Sequence, residues 1–299
     1  QDQRKTIDSL FLQLEKADDQ NKIEILNNIS RSYWNISLDS SLYFANEALN
    51  LGHIHEDKNG IADSYNRIGN VYSFQGESEL ALEYYNKCLK LRLDINDSQG
   101  ITNIYHNIGY EYVSQNNIDA AIKYFQKALD ESIRRKDNED IVFYYIRIAT
   151  VHRQKSDYRE ALEYFLQALE TASKSNAEIE KADIYTGMGG VYLEISSYDE
   201  ALKYFLNALN IYQEYNNNAG ISNLYNNLGI LYQSLDDADK ALDYYKKTLV
   251  MEMEAENRLG VANAYNNLGT IYDEKGNKQK ALEYYNKSLE IDREMDYED

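Results

Sequence analysis

Apolar side chains recur along this chain at the spacing of an α-helix, in paired segments joined by short polar stretches. Tyr185, Met188 and Tyr192 lie three and four residues apart, which places them on one face of a helix. In the next segment, Phe205 and Ala208 have the same spacing and combine a large side chain with a small one. Two helices that face each other through large and small side chains pack densely. The pattern therefore predicts antiparallel helix pairs.

This pair of segments returns at a fixed interval from residue 61 onward. The second helix recurs at 81–91, 121–131, 161–171, 201–211, 241–251 and 281–291. A more degenerate unit precedes them, so the predicted units are 21–60, 61–100, 101–140, 141–180, 181–220, 221–260 and 261–299. A tandem repeat of this length indicates a solenoid. Residues 1–20 lie outside the register, and we predict that they form an N-terminal capping helix.

Composition agrees with uninterrupted helices, because the chain contains no proline and only 14 glycines. Most of its 29 tyrosines fall at four positions of the repeat, where we expect them to serve packing. The sequence predicts an all-α fold, a right-handed solenoid of stacked antiparallel helix pairs with about fifteen helices. We expect residues 21–299 to form one continuous domain of seven units.

The charge balance restricts the partners. Lys plus Arg number 31 against 50 Asp plus Glu, which gives a formal net charge of −19. Such a surface repels phosphate backbones and anionic lipid, so we predict no nucleic-acid partner. A neutral or basic protein or peptide is favoured instead. No apolar run reaches about 18 residues, so we expect no membrane insertion by this chain.

Residues suited to catalysis or metal binding are few. Cys88 aligns with Ala128, which predicts a small buried packing residue. His53 and His55 are close in sequence, but no other thiol or imidazole lies near them to complete a metal site. Phosphate-binding glycine loops and nucleophile motifs are absent. The sequence predicts no enzyme, no metal and no cofactor, and it predicts that His106 titrates near neutral pH.

The first helices carry the pattern aromatic–x–x–Leu–Gly–x–x–Tyr, as in YNNLGILY at 225–232 and YNNLGTIY at 265–272. The second helices carry Ala, then Phe or Tyr, then Ala, as at Ala201, Phe205 and Ala208. Together these patterns resemble the tetratricopeptide repeat. The resemblance covers residues 21–299. Each unit spans about 40 residues, against about 34 in the usual repeat, and lacks the proline that normally ends the second helix. The resemblance implies a superhelix that binds a protein or peptide along a concave groove. It also implies that the first helix of each unit lines this groove.

Carried over position by position, the resemblance implies a set of groove residues: Asp63, Asn66, Asn70, Asn103, His106, Tyr110, Phe143, Ile146, Asp183, Asn223, Asn226, Asn263, Asn266, Asp273 and Glu274. Carboxamides can donate and accept hydrogen bonds along an extended peptide backbone. The four acids would favour Lys or Arg on the ligand, and Tyr110, Phe143 and Ile146 would form an apolar anchor. These positions vary between units, as a binding surface would, although drift on a solvated face is the alternative.

The opening segments 7–34 and 41–52 resemble the sensory regions of Bacteroidetes-type signalling proteins. In those proteins a secreted repeat array precedes a membrane helix and a histidine kinase, nucleotide cyclase or DNA-binding output domain. This implies the sensory or interaction region of a bacterial signalling protein. The first residue, Gln1, fits a mature chain after signal removal or a trimmed one, so periplasmic and cytoplasmic locations stay equally open.

Two other functions remain open from the sequence. One is a peptide-responsive regulator, similar to the tetratricopeptide phosphatase regulators of Gram-positive bacteria. Those regulators carry an N-terminal helical bundle, for which residues 1–20 are short. A hydrolase with an unrecognised site is a remote alternative. No capping helix follows 281–291, so we expect either a longer natural protein that continues as helix or coiled coil, or an end-to-end homodimer.

Overall fold

A computed structural model describes residues 2–175 and 177–296, and these residues form fifteen α-helices without any β-strand. The helices are Asp2–Lys16 (α1), Asp19–Tyr33 (α2), Leu38–Ile54 (α3), Lys58–Phe74 (α4), Ser78–Asp94 (α5), Ser98–Ser114 (α6), Ile118–Arg135 (α7), Asn138–Gln154 (α8), Tyr158–Ser175 (α9), Glu178–Glu194 (α10), Tyr198–Glu214 (α11), Asn218–Ser234 (α12), Ala238–Glu254 (α13), Arg258–Glu274 (α14) and Lys278–Asp296 (α15). The prediction of an all-α helical-repeat solenoid with about fifteen helices is confirmed.

The chain divides into two compact units. The first unit is Gln1–Ser156 and contains α1 to α8, whereas the second is Asp157–Asp299 and contains α9 to α15. In the first unit α1 packs on α2 with Ile7 buried, and the Phe11 ring also lies 5.6 Å from that of Phe44 on α3. Among the described residues no helix combines the length and apolar content that crossing a bilayer requires.

From α3 onward, the described turns share one geometry. Their middle residues have positive φ and recur at a constant spacing, apart from the turn at residue 176, which lies outside the described residues: Glu56, Gly76, Asn96, Asn116, Lys136, Ser156, Ser196, Asn216, Asp236, Glu256 and Gly276. The left-handed residue closes the helix end, since the N–H of Asp57 donates to the Gly52 carbonyl at 3.0 Å. The next helix is often capped at once, as where Asp97 Oδ1 accepts from the N–H of Gly100 at 3.0 Å.

Within a pair, the two helices approach closely where one carries glycine. A Cβ on Gly189 of α10 would lie 2.5 Å from Cε1 of Phe205 on α11, so no side chain fits there. Phe205 is fully buried, and so are Ala201 and Ala208 on either side of it. Burying one phenylalanine contributes about 1.5–3 kcal/mol. The predicted interlock of large and small side chains is confirmed.

The tyrosines form stacked pairs in both compact units. Tyr72 of α4 stacks on Tyr84 of α5 with ring centroids 5.6 Å apart, and Lys87 lies over the Tyr84 ring at 4.5 Å. The same stacking recurs in the second unit, where the rings of Tyr192 and Tyr204 are 5.4 Å apart. These rings are half-buried between helices, so the predicted packing role is confirmed.

Cys88 lies in the core of the first unit and is fully buried. It packs in one cluster with Ala62, Ala81 and Ile104. Burial raises the pKa of its thiol to about 12, so the thiolate is scarce at neutral pH. The prediction of a small packing residue is confirmed.

Within each unit the even-numbered helices, which are the first helices of the predicted repeats, lie side by side. α4 contacts both α2 and α6, and α12 contacts α10. The surface of these helices that carries the predicted groove residues is named the groove face below. Because every second helix contributes to it, residues from successive repeats become neighbours there.

Candidate functional site

The groove face of the first unit contains a cavity of about 400 Å³, named cavity 1. It is lined by Asn66, Asn70, Asn103, His106, Asn107, Asp140, Phe143 and Tyr144. These residues come from α4, α6 and α8. Five of them were predicted from the sequence, and the structure brings those five together.

A carboxamide network forms one wall of cavity 1. The Nδ2 of Asn107 donates to Oδ1 of Asn66 at 2.9 Å and to Oδ1 of Asn70 at 3.3 Å. The hydroxyl of Tyr85, which rises from α5 beneath this wall, also donates to Oδ1 of Asn70 at 2.9 Å. Both carboxamide oxygens are therefore held from within the protein. In the described part of the chain, the side-chain N–H groups of Asn66 and Asn70 have no protein acceptor, so both can donate to a ligand.

The other wall of cavity 1 is aromatic. The His106 ring lies 5.5 Å from that of Phe143 and 5.3 Å from that of Tyr110, and Arg147 lies over the Phe143 ring at 4.6 Å. Burial and then the Arg147 charge lower the pKa of His106 to about 4, against a smaller opposing effect from Asp140. The expectation that His106 titrates near neutral pH is therefore wrong. At pH 7 its imidazole is neutral.

The second unit carries a comparable cavity of about 380 Å³, named cavity 2. It is lined by Ser222, Asn223, Asn226, Ile230, Thr248, Glu252, Asn257, Leu259, Gly260, Asn263, Ala264, Asn266 and Asn267. Here the Nδ2 of Asn267 donates to Oδ1 of Asn226 at 2.9 Å. This bond joins the repeat positions that Asn107 and Asn66 occupy in the first unit. The network is thus a repeated feature of the groove face.

The remaining predicted residues lie outside the two cavities. Tyr110 is 52% exposed beside cavity 1, and Ile146 is half-buried. Asp273 is exposed, and so is Glu274, which accepts from Nε2 of Gln233 at 2.6 Å.

Two of the predicted acids already have partners inside the protein. Asp63 forms an ion pair with Arg92 of α5. Asp183 of α10 accepts a hydrogen bond from the hydroxyl of Tyr212. Internal partners take up part of the charge that the sequence analysis assigned to a basic ligand. The charge of these two residues is therefore less available to a basic ligand than their sequence positions indicate.

Sequence reasoning missed the donors of the carboxamide network, Asn107 and Asn267. The signal was present as the doublet Asn266-Asn267 and as the pair His106-Asn107 directly after the repeated tyrosine. Residues one apart on a helix point about 100° apart. Only the packing of adjacent first helices turns the second member of each pair toward its neighbour.

A further cavity of about 520 Å³ lies between α3, α4 and α5, away from the carboxamides. It is lined by His53, Glu56, Lys58, Ile61, Tyr65, Lys87, Lys90, Leu91 and Asp94. It combines two acids with three lysines, of which Lys87 lies 5.9 Å from the Tyr65 ring. In the described residues no group of three or more His, Cys, Asp or Glu is placed to hold a metal ion.

Fold and site together define a helical-repeat scaffold with a polar, carboxamide-lined groove face. Tetratricopeptide repeat models match residues 60–130, 100–174, 180–251 and 262–295. The chain belongs to the tetratricopeptide repeat family. No curated protein sequence matches it significantly.

Several solved structures share the fold. The apo form of RapI is 17% identical with a TM-score of 0.72, over 92% of this chain and 99% of RapI. A Rap protein complexed with Competence and Sporulation Factor is 15% identical with a TM-score of 0.59, over 100% and 99%. The tetratricopeptide repeat sensor protein of the Signal Transduction ATPase with Numerous Domains class from Pyrococcus horikoshii is 16% identical with a TM-score of 0.71, over 90% of this chain and 42% of that one.

Proposed function

We propose that this chain is a non-catalytic scaffold that binds an extended or helical protein segment along its groove face. The observation that carries the proposal is the repeated carboxamide bond, Asn107 to Asn66 in one unit and Asn267 to Asn226 in the other, 2.9 Å in both. A carboxamide fixed through its oxygen presents its N–H groups in a defined direction. Donors fixed before binding lose less entropy when a ligand arrives.

The surroundings of these carboxamides suit a peptide rather than a small charged metabolite. Asn103, Asn223 and Asn263 are exposed and add further donors and acceptors along the same face. Phe143 and Tyr110 supply an apolar contact of the kind that anchors interfaces. A bound segment can thus satisfy its backbone groups on the carboxamides and place an apolar side chain against the aromatic wall.

Removing one fixed carboxamide tests the proposal. Asn226→Ala should weaken binding of randomised short peptides by about threefold to tenfold, since one net hydrogen bond contributes roughly 0.5–1.5 kcal/mol. Binding is measured by fluorescence anisotropy, and thermal melting checks the fold. Asn207→Ala, which removes an exposed asparagine from α11, is the matched control and should bind as the parent does. A clear loss of thermal stability alongside the loss of affinity would show that Asn226 is a core residue.

We infer further that the chain serves as the sensory or interaction region of a bacterial signalling protein. The resemblance of its opening segments to such regions supports this. So does the shared fold with a protein whose repeats are described as a sensor. The proposal predicts that ligand binding changes the activity of an output domain fused to the chain.

A second candidate is a peptide-responsive regulator. Its support is the match along nearly the whole length of RapI and of a Rap protein complexed with Competence and Sporulation Factor. A regulator of this kind changes its affinity for a second protein when a peptide occupies the groove face, whereas a simple scaffold does not. Co-precipitation with and without peptide separates the two, and a screen with generic phosphatase and esterase substrates tests the remote hydrolase alternative.

A further inference from the structure

One buried position on the first helices of the repeats carries a polar side chain where a core residue is expected. Glu111 of α6 is only 4% exposed. The same repeat position elsewhere is filled by a buried aliphatic residue: Val71, Val151, Val191, Leu231 and Ile271. A carboxylate at a site built for a branched aliphatic side chain needs a physical explanation, because burying a charge is costly unless it is paired.

The protein satisfies only half of this carboxylate. Oε1 accepts a hydrogen bond from the hydroxyl of Ser73 on α4. Oε2 is buried and has no hydrogen-bond partner within the described residues, and no ion pair of Glu111 occurs there. A buried acceptor left in this state lowers the stability of the free protein. Any donor that reaches Oε2 recovers that loss on binding.

Contacts of neighbouring side chains connect the carboxylate to a lining residue of cavity 1. Ser73 is half-buried and follows Asn70, a lining residue, by one helical turn. Tyr85 reaches the same place, since its hydroxyl donates to Asn70 at 2.9 Å. Burial raises the pKa of Tyr85. A hydrogen bond with Ser73 lowers this pKa by a smaller amount, and the Glu111 charge raises it. Ser73 on α4 and Tyr85 on α5 therefore connect the Glu111 carboxylate to the helix that carries Asn66 and Asn70.

Other acids near cavity 1 are already matched by internal cations. Asp63 pairs with Arg92, and Asp140 pairs with Arg135. Glu111 has only a neutral hydroxyl, so its charge is the one that a positively charged ligand group would complete. Aromatic rings on the adjacent residues, Phe74 at 65% exposure and Tyr110 at 52%, are available to cover the aliphatic stem of such a group.

We propose that Glu111, together with Ser73 and Tyr85, forms a subsite that accepts one Lys or Arg side chain of the segment bound on the groove face. The subsite deepens the proposed function and depends on it. The ligand cation donates to Oε2 of Glu111, so the carboxylate gains the partner that it lacks in the free protein. The Ser73 hydroxyl either rotates away or stays bonded between the carboxylate and the ligand group. Selectivity for a basic residue then comes from α6, not from the exposed acids of the groove face.

Two pools of randomised short peptides test the subsite, one with Lys fixed at the central position and one with norleucine there. Norleucine keeps the aliphatic stem but lacks the ammonium group. The parent protein should bind the Lys pool roughly tenfold to hundredfold more tightly, the value of a hydrogen bond to a charged group. Glu111→Gln should lose this preference while keeping its affinity for the norleucine pool. Glu79→Gln removes an equal charge from an exposed position of α5 and should keep the preference.

Glu111→Val provides a second readout that a purely structural glutamate would not give. It installs the residue found at positions 71 and 151, so the melting temperature should rise while the Lys preference disappears. A lower melting temperature, or a Lys preference that survives in Glu111→Gln, would overturn the subsite. Norleucine-pool binding without any Lys preference in the parent also overturns it but leaves the proposed function intact. Failure of both pools to bind the parent contradicts both proposals.

Discussion

Single residues within a constant repeat set the local chemistry of this protein. Position 111 shows this most clearly, because one carboxylate replaces an aliphatic side chain and creates a buried charge. His106 is a second case, placed where Asn66 and Asn226 lie in other repeats. An imidazole packed against Phe143 and subject to the Arg147 charge behaves as a neutral aromatic group, not as a proton carrier.

A titration of His106 checks this description. Its pKa is about 4 in the folded protein against the ordinary 6.5, so between these values the unfolded chain binds a proton that the native protein does not. The free energy of unfolding is therefore unaffected by His106 protonation above pH 6.5. It decreases as pH falls toward 4, by up to about 1.4 kcal/mol per pH unit. NMR should show its imidazole resonances unchanged above about pH 5. In urea unfolding, the parent should lose stability relative to His106→Phe over this interval. An NMR midpoint near 6.5 would contradict the burial argument.

At the scale of helices, the close approach of the two members of a pair is what glycine permits. Gly189 faces Phe205, and the equivalent Gly109 faces Phe125 in the first unit. In these two pairs, the helices are therefore positioned by one missing and one large side chain. The regularly spaced left-handed turns then fix where this contact falls along the helices.

Substitution across this contact gives a coupled prediction. Gly189→Ala should destabilise the protein by about 1–3 kcal/mol, since the new Cβ would lie 2.5 Å from Cε1 of Phe205. In a Phe205→Leu background, the same change should cost little or raise stability, because alanine favours a helix over glycine by about 1 kcal/mol. A double-mutant cycle by urea unfolding measures the coupling. Equal costs in the two backgrounds would show that the ring and the glycine do not interact.

At the scale of the molecule, the chain carries a net charge of −19, whereas the principal groups of the groove face are neutral carboxamides. The charge acts at long range and the carboxamides at contact. A cationic segment would therefore be attracted before it meets the groups that hold it, and electrostatic attraction of this kind acts mainly on the association rate.

Salt should separate these two contributions. Raising NaCl from about 0.1 M to about 1 M shortens the screening length from about 10 Å to about 3 Å. The association rate of the Lys-centred peptide pool should fall by about tenfold, whereas that of the norleucine-centred pool should change little. Stopped-flow anisotropy measures both rates. Parallel changes in the two pools would remove the long-range charge from the account.

The sequence by itself determined the helix pairs, the length of the repeat, the buried aromatic stripe and the role of Cys88, because each depends on periodicity along one or two adjacent helices. It also predicted Asn66, Asn226 and Phe143 as groove residues, since repeat position fixes the face on which a side chain lies. Tertiary structure alone decided that Asn107 donates a hydrogen bond to Asn66 and that Asp63 forms an ion pair with Arg92. It also decided that one carboxylate oxygen of Glu111 has no hydrogen-bond partner among the described residues. Those contacts join residues 29 to 41 apart in sequence. They depend on how far one helix is offset against the next, which side-chain packing decides and local periodicity does not encode.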